Sequence, residues 1–299
     1  MIFIASEKKR GYAAAIAVSV LWGLSFIGSK EALGGGMQTF SLVMVRFIIA
    51  TAILLLVAAI RKESLRVRPK DLIPLAVTAL SGITLYYYCE LQGLTYTSAS
   101  VASLIIATIP VFSLLAGAIL RRKMPSVLTW IGVLLSLFGV YLLVFTDVGE
   151  NSVRGFLYLF CGCLAWVAYL EITDDLLKRY SNLTVTFWQS LLGLISVIPL
   201  ALTEDVPWTA VPLRAWLWAG LFLGVICSGL CYILNNFSIA ALSPQMNAAF
   251  LNLSPVATAI GSYAILHETI SAKQLTGGAI ILISLFIITA TDRRKSTGK

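Results

Sequence analysis

Residues 39–60 read TFSLVMVRFIIATAILLLVAAI, and the only charge in this run is Arg46. As a helix the run spans about 33 Å, enough to cross a hydrocarbon core of roughly 30 Å. It is continuous rather than alternating, which predicts a membrane helix and not a barrel strand. Working outward, further apolar runs appear at 12–33, 72–92, 97–120, 127–145, 155–176, 184–203, 213–234, 243–265 and 273–291. Lys8, Lys9 and Arg10 look like the charged start of a signal peptide. The run after them is too long for one and many more follow, so it reads as the first membrane helix. The composition agrees. Of 299 residues, 59% are hydrophobic and 12% charged, and the mean hydropathy is +0.90. Soluble domains carry about 25% charged residues, and a soluble chain of this size could not hide so much apolar surface. Soluble enzymes, nucleic-acid binders and disordered chains are excluded. The fold class predicted is an all-α membrane protein of ten transmembrane helices.

The formal charge of +8 is topological. With the N-terminus in the cytoplasm, 17 of the 22 Lys and Arg residues fall on that side. They cluster at 8–10, 61–70, 121–123, 178–179 and 293–299. Lys30, Arg154, Arg214 and Lys273 fall outside, and Arg46 lies within the membrane. This is the positive-inside distribution, and it predicts that both termini are cytoplasmic. It implies no nucleic-acid partner. The partners expected are the bilayer and a small-molecule substrate.

Cys89, Cys161, Cys163, Cys227 and Cys231 all fall in predicted helices at spacings that match no metal motif. They read as small apolar packing residues. The single histidine, His267, sits at an outer helix end. No metal, no cofactor and no catalytic centre is expected.

The chain repeats itself. At an offset of 145, Pro110 falls on Pro255, Val111 on Val256, Ser98 on Ser243, Tyr87 on Tyr232 and Gly132 on Gly277. Nearer the start the offset is 144, and Trp22 falls on Trp166, Ser25 on Tyr169 and Ser29 on Thr173. The units are 1–146 and 147–299, the second ending in a short basic tail. Five helices per unit is an odd number, so the second copy enters the membrane upside down. That 5+5 inverted-topology repeat is the architecture of alternating access.

The run from Ser254 to Ile288, with Pro255, Glu268 and Gly277, resembles the repeat unit of EamA-type transporters of the drug/metabolite transporter superfamily. Trp22-Gly23 and Arg46-Phe47 also match that pattern, and the resemblance covers essentially the whole chain as two units. The first unit departs where Lys123 stands in place of Glu268. The resemblance implies a secondary carrier with a central cavity lined mainly by helices 1, 3, 4, 6, 8 and 9. Bacterial members are often metabolite exporters.

Pro110 and Pro255 each remove a helical hydrogen bond, freeing the carbonyls of Ile106 and Leu251. They read as matched gating kinks or as static kinks that improve packing. Beside them, polar and aromatic residues share helical faces. Helix 1 has Trp22, Ser25 and Ser29; helix 6 has Trp166, Tyr169 and Thr173; helices 3 and 8 have Tyr87 with Glu90 and Tyr232 with Asn235. Helix 4 adds Ser100 and Ser103, and helix 9 adds Gln245 and Asn252. Singly such groups are helix-to-helix glue worth about 0.6 kcal/mol. Together they predict a shared polar cavity. Tyr86, Tyr87 and Tyr88 are consecutive and cannot all face it. Gly132, Ser136 and Gly139, with Gly277 and Ser284, read as close packing or a homodimer contact.

Charges within the membrane carry most weight. Arg46 and Glu90 lie at similar depth and can pair. Their counterparts are Gln189 and Asn235. Arg46 is then a structural latch or an anion anchor. Glu171 has Ile27 as its counterpart, while Asp174 and Asp175 can take Lys178 and Arg179 at i+4. Glu90 and Glu171 are the coupling candidates, since burial and substrate charge both act on a membrane carboxylate; alternatively helix 6 ends early and Glu171 is simply wet. The expectation is an inner-membrane exporter of an amine-bearing or amino-acid-like metabolite. Aromatic faces attract ammonium groups and carboxylates neutralise them. The rivals are a carrier of anionic or sugar-like solutes anchored by Arg46, and a membrane-embedded protein that transports nothing.

Overall fold

The computed structural model describes the backbone of residues 2–121, 126–145, 153–242, 244–269 and 271–297. Among these residues every regular element is helical. The helices are α1 (Ile2–Gly34), α2 (Thr39–Arg61) and α3 (Pro69–Thr95). Next come α4, in two pieces (Ala99–Ile106 and Ile109–Arg121), and α5 (Val127–Phe145). The second half continues with α6 (Val153–Leu177), α7 (Asn182–Ala201), α8 (Leu213–Leu242), α9 (244–266) and α10 (Ala272–Thr297). Seven stretches, in α1 to α4 and α6 to α8, are long and apolar enough to cross a membrane. Shorter apolar pieces lie at Ser254–Leu266 and Leu275–Ser284. This is a multi-pass membrane protein, with large apolar side chains such as Leu56, Ile60 and Phe286 turned outward.

Helix ends follow local chemistry. Ser98 and Ser181 cap α4 and α7, each hydroxyl accepting the amide three residues on. Glu204 caps α2 from across the molecule, accepting the amides of Phe40 and Ser41 at 2.8 and 2.7 Å. Lys62 ends α2 in the left-handed region, φ 52°. Wide i to i+5 turns occur at Leu80–Leu85 in α3 and Leu217–Leu230 in α8, helices that correspond in the repeat.

One sequence expectation changes. Pro110 and Pro255 do not sit inside continuous helices. Each is the second residue of a new one, Ile109–Arg121 and Ser254–Gly261. The first turn of a helix has no need of the missing amide, so proline is tolerated there. The irregularity lies just before each proline, at Ala107–Thr108 and in the tight turn Leu251–Leu253. Of the two readings of the small residues, close packing is formed within the chain. A Cβ at Gly139 would lie 2.8 Å from the Gly277 carbonyl and 2.7 Å from Ile281, so this face of α5 is taken by α10 of the same chain. The side chain of Ser136 lies outside the described residues.

The halves interlock. α1 packs on α8 and α9, and α6 packs on α3 and α4. Gly23 decides the α1–α9 approach: a Cβ there would be 2.5 Å from the Ser254 carbonyl. The closeness lets Ser254 and Thr258 donate to the carbonyls of Ser19 and Gly23, both at 2.8 Å.

Candidate functional site

A cavity lies where α1, α3, α4, α6 and α9 converge. Its wall holds Trp22, Ser25 and Phe26 from α1, and Tyr86, Tyr87 and Glu90 from α3. Trp166 comes from α6. Ile106 and Ile109 bracket the break in α4, and Leu251 and Ser254 bracket the tight turn in α9. The space open to the centre of a water molecule is about 30 Å³. That suits one or two waters.

Five of the eleven wall residues are aromatic. Trp22 meets Trp166 edge-on at 5.3 Å between centroids, and Tyr86 lies 4.8 Å from Trp166. Tyr169 stacks behind Trp166 at 4.6 Å, and Tyr232 backs Trp22 at 5.6 Å. Trp22 Nε1 donates to the Cys227 carbonyl at 3.1 Å, which fixes that indole. Trp166 Nε1 is buried with no acceptor.

Glu90 is 3% exposed. The Tyr86 hydroxyl, one turn earlier on α3, lies close to its carboxylate, and Glu90 Oε1 has no donor. A buried acceptor left in that condition costs about 1–3 kcal/mol. The wall thus presents one unmet acceptor and one unmet donor among aromatic faces, the arrangement that suits an ammonium group with a hydrogen-bond acceptor near it.

Arg46 and Glu90, which similar depth allows to pair, form no ion pair. Fully buried Arg46 donates through Nε to Ser228 Oγ at 3.1 Å and through Nη2 to the Tyr87 hydroxyl at 3.0 Å. Its Cζ lies 4.3 Å from the Tyr87 ring centre, and Nη1 has no partner. Arg46 acts on Glu90 only through space. The rotation of α2 gives Tyr87 and α8 first claim on the guanidinium.

The corresponding amides form a second network. Tyr169 donates to Asn236 Oδ1 at 2.7 Å, and Asn236 Nδ2 donates to Thr186 at 2.9 Å and to Gln189 at 3.1 Å. Gln189 Nε2 donates to Thr173 at 2.8 Å. Asn235 lies buried near the Tyr169 hydroxyl without a well-formed hydrogen bond of its own. Sequence reasoning singled out Asn235, and the amide that joins three helices is its neighbour.

Of the residues chosen from sequence, Trp22, Ser25, Tyr87, Glu90 and Trp166 share the cavity wall. Tyr169 and Tyr232 stand one layer behind it. Ser103 spends its hydroxyl on the Ser100 carbonyl at 2.8 Å. The side chains of Gln245 and Asn252 lie outside the described residues. Glu171 is half-buried and engaged with a partner, and it is not among the lining residues. Lys178 takes both Asp174 and Asp175, at 2.8 and 2.9 Å, while Arg179 crosses to Asp71 at the start of α3. Arg179 contacts Asp175 only through that residue's carbonyl, at 3.3 Å. Phe26, Tyr86, Ile106, Ile109, Leu251 and Ser254 were missed. Tyr86 carried a signal, its i−4 spacing from Glu90; the others carried none beyond their nearness to the prolines.

Residues 9–145 and 153–290 each match the model of the EamA-like transporter family. An uncharacterized transporter of Archaeoglobus fulgidus is 29% identical, over 92% of this chain and 96% of that protein. The uncharacterized transporter YcxC of Bacillus subtilis is 27% identical, over 93% and 92%. A WAT1-related protein of Arabidopsis thaliana is 25% identical, over 94% and 90%. A solved crystal structure, 19% identical, shares the fold at a TM-score of 0.69, covering 97% of this chain and 98% of its own.

Proposed function

The chain belongs to the EamA-like transporter family and is a membrane transporter of the drug/metabolite type, and from that premise we propose that it exports a small amine-bearing, amino-acid-like metabolite by alternating access. The observation that carries the substrate reading is Glu90 Oε1, buried in an aromatic wall and without a donor. A substrate ammonium supplies the missing donor as a charge-assisted bond, and Trp22, Tyr86 and Trp166 surround it with aromatic faces. A space of about 30 Å³ is too small for such a molecule, so entry needs the wall to part. We take the topology as ten spans in two inverted units, 1–146 and 147–299, with both termini on the cytoplasmic side of the inner or plasma membrane. The distribution of Lys and Arg supports that orientation.

Coupling to protons is assigned to Glu90, which binds a proton or the substrate ammonium in turn. The test is electrical recording from proteoliposomes with amines, amino acids and organic anions at several pH values. A saturable amine response that Glu90→Gln weakens supports the reading. An undiminished response in that variant removes Glu90 from both roles. Glu171 is tested alongside: a Glu171→Gln protein that keeps full pH-driven transport has no coupling role there. The unpartnered Nη1 of Arg46 favours a second reading, an anion carrier. A response to anions alone, lost in Arg46→Gln, would establish it.

A further inference from the structure

The ends of α1, α4 and α9 meet at one carboxylate. Glu268 follows α9, just after His267, whose φ of 55° turns the chain sharply. Glu268 Oε1 accepts from Lys30 Nζ at 2.9 Å and from the amide of Ala99 at 3.3 Å. Its other oxygen accepts from Ser100 Oγ at 3.5 Å. The side chains are 16% exposed for Glu268 and 29% for Lys30, so the pair is partly shielded from water. The carboxylate also faces the N-terminus of α4, where the helix dipole favours negative charge.

This contact lies to one side of the cavity. Lys30 is five residues beyond Ser25 on α1, and Ala99 is seven residues before Ile106 on α4. Both steps lead about 8–10 Å from the cavity wall. α9 runs from Ser254 to the same point. The helices are held differently. α1 and α9 are stapled by the hydrogen bonds of Ser254 and Thr258 and by the close approach at Gly23. The first piece of α4, Ala99–Ile106, is separated from the rest of its helix by the turn at Ala107–Thr108. There Thr108 Oγ1 and Cys163 Sγ both reach the Ile105 carbonyl, at 2.6 and 3.6 Å. Side chains thus serve a backbone group beside the break.

We propose that Glu268 and Lys30 are the latch of a gate. Lys30 positions the Glu268 carboxylate, whose bonds to Ala99 and Ser100 hold Ala99–Ile106 against the α1–α9 staple and close the cavity on the side nearest the end of α1. The turn at Ala107–Thr108 is the hinge, and breaking the pair lets this short helix swing away to open the cavity on that side. The inference rests on the alternating-access reading but not on the amine.

The test places a cysteine on the cavity wall, Ser25→Cys, in proteoliposomes. A membrane-impermeant maleimide is added from the latch side, and modification of position 25 is read by peptide mass spectrometry, so the native cysteines stay. Glu268→Gln and Lys30→Gln should each raise the modification rate about tenfold, within the usual range of such couplings. Unchanged rates in both overturn the latch. A second arm ties α4 to the end of α9 as Ser100→Cys with Glu268→Cys. The oxidised protein should resist modification at position 25 from that side, and reduction should restore it. Modification that continues in the cross-linked protein overturns the proposal even where the single variants fold poorly. A panel in which no amine evokes a response would remove the substrate reading and leave the labelling result standing.

Discussion

Arg46 and Glu90 sit on neighbouring helices, both buried, and do not touch. The guanidinium is held by Tyr87 and Ser228, and the Tyr86 hydroxyl lies near the carboxylate. A closed ion pair would have satisfied both charges and left nothing for a ligand. Here the tyrosines intervene, so the acid keeps one oxygen for the cavity.

Replacing Glu90 by Gln keeps the shape and removes the charge. Hydrogen bonds to charged groups contribute about 1.5–3 kcal/mol, so amine binding should weaken roughly 10- to 100-fold while the protein stays folded. Ligand-induced thermal shifts in detergent measure this. Equal shifts in parent and variant would show that the ammonium binds elsewhere.

Trp166→Phe makes an unusual stability prediction. Truncating a buried tryptophan to alanine normally costs about 3–5 kcal/mol. Here the indole N–H has no acceptor, and removing an unmet buried donor recovers part of the loss. The variant should fall within about 1 kcal/mol of the parent in equilibrium unfolding. A drop of several kcal/mol would mean that this N–H has a partner.

Gly23→Ala tests the α1–α9 staple. The added methyl meets the Ser254 carbonyl and the Ala257 methyl, at 2.5 and 2.8 Å. The backbones must part, at about 1–3 kcal/mol by the usual scale of overpacking, and the bonds from Ser254 and Thr258 lengthen with them. Thermal melting should show the loss, with transport reduced in proportion to folded protein or further. A variant as stable and active as the parent would refute the tight approach.

Asn236→Ala should destabilise without touching substrate. It leaves the Tyr169 hydroxyl with only the longer bond to Gln189 Oε1 at 3.4 Å and weakens the hold on Thr186 and Gln189. Weakening a buried polar network in this way costs about 1–3 kcal/mol, and a loss of that size is expected in denaturant unfolding. The apparent affinity of the remaining folded protein should stay within about threefold of the parent, since Asn236 is not among the lining residues. A large affinity change with normal stability would reverse this assignment.

The sequence made the helices and their repeat legible because hydropathy and spacing are properties of the chain alone. Residues 39–60 needed no partner to be read as a helix, and Pro110 and Pro255 marked both irregular segments. Partnerships were less legible. Nothing in the spacing of Arg46 announces Ser228, because their meeting depends on how α2 and α8 rotate against each other. Arg179 had an acid at i−4 and took Asp71, 108 residues away, with its guanidinium. Tyr86 looks surplus among three consecutive tyrosines, yet the fold sets it beside Glu90 in the cavity wall.

The 182 residues that separate Arg46 from Ser228 have a consequence for the birth of the protein. As a ribosome feeds the chain into a membrane, α2 arrives with its guanidinium long before α8 exists. During that interval the charge must be hosted by something temporary: water, lipid phosphate, the insertion machinery or the Tyr87 hydroxyl alone. The first half, synthesised by itself, would keep that guanidinium without Ser228 and α1 without the neighbours it packs against. Its lifetime in a cell should be short, and co-expression of the second half as a separate chain should lengthen it.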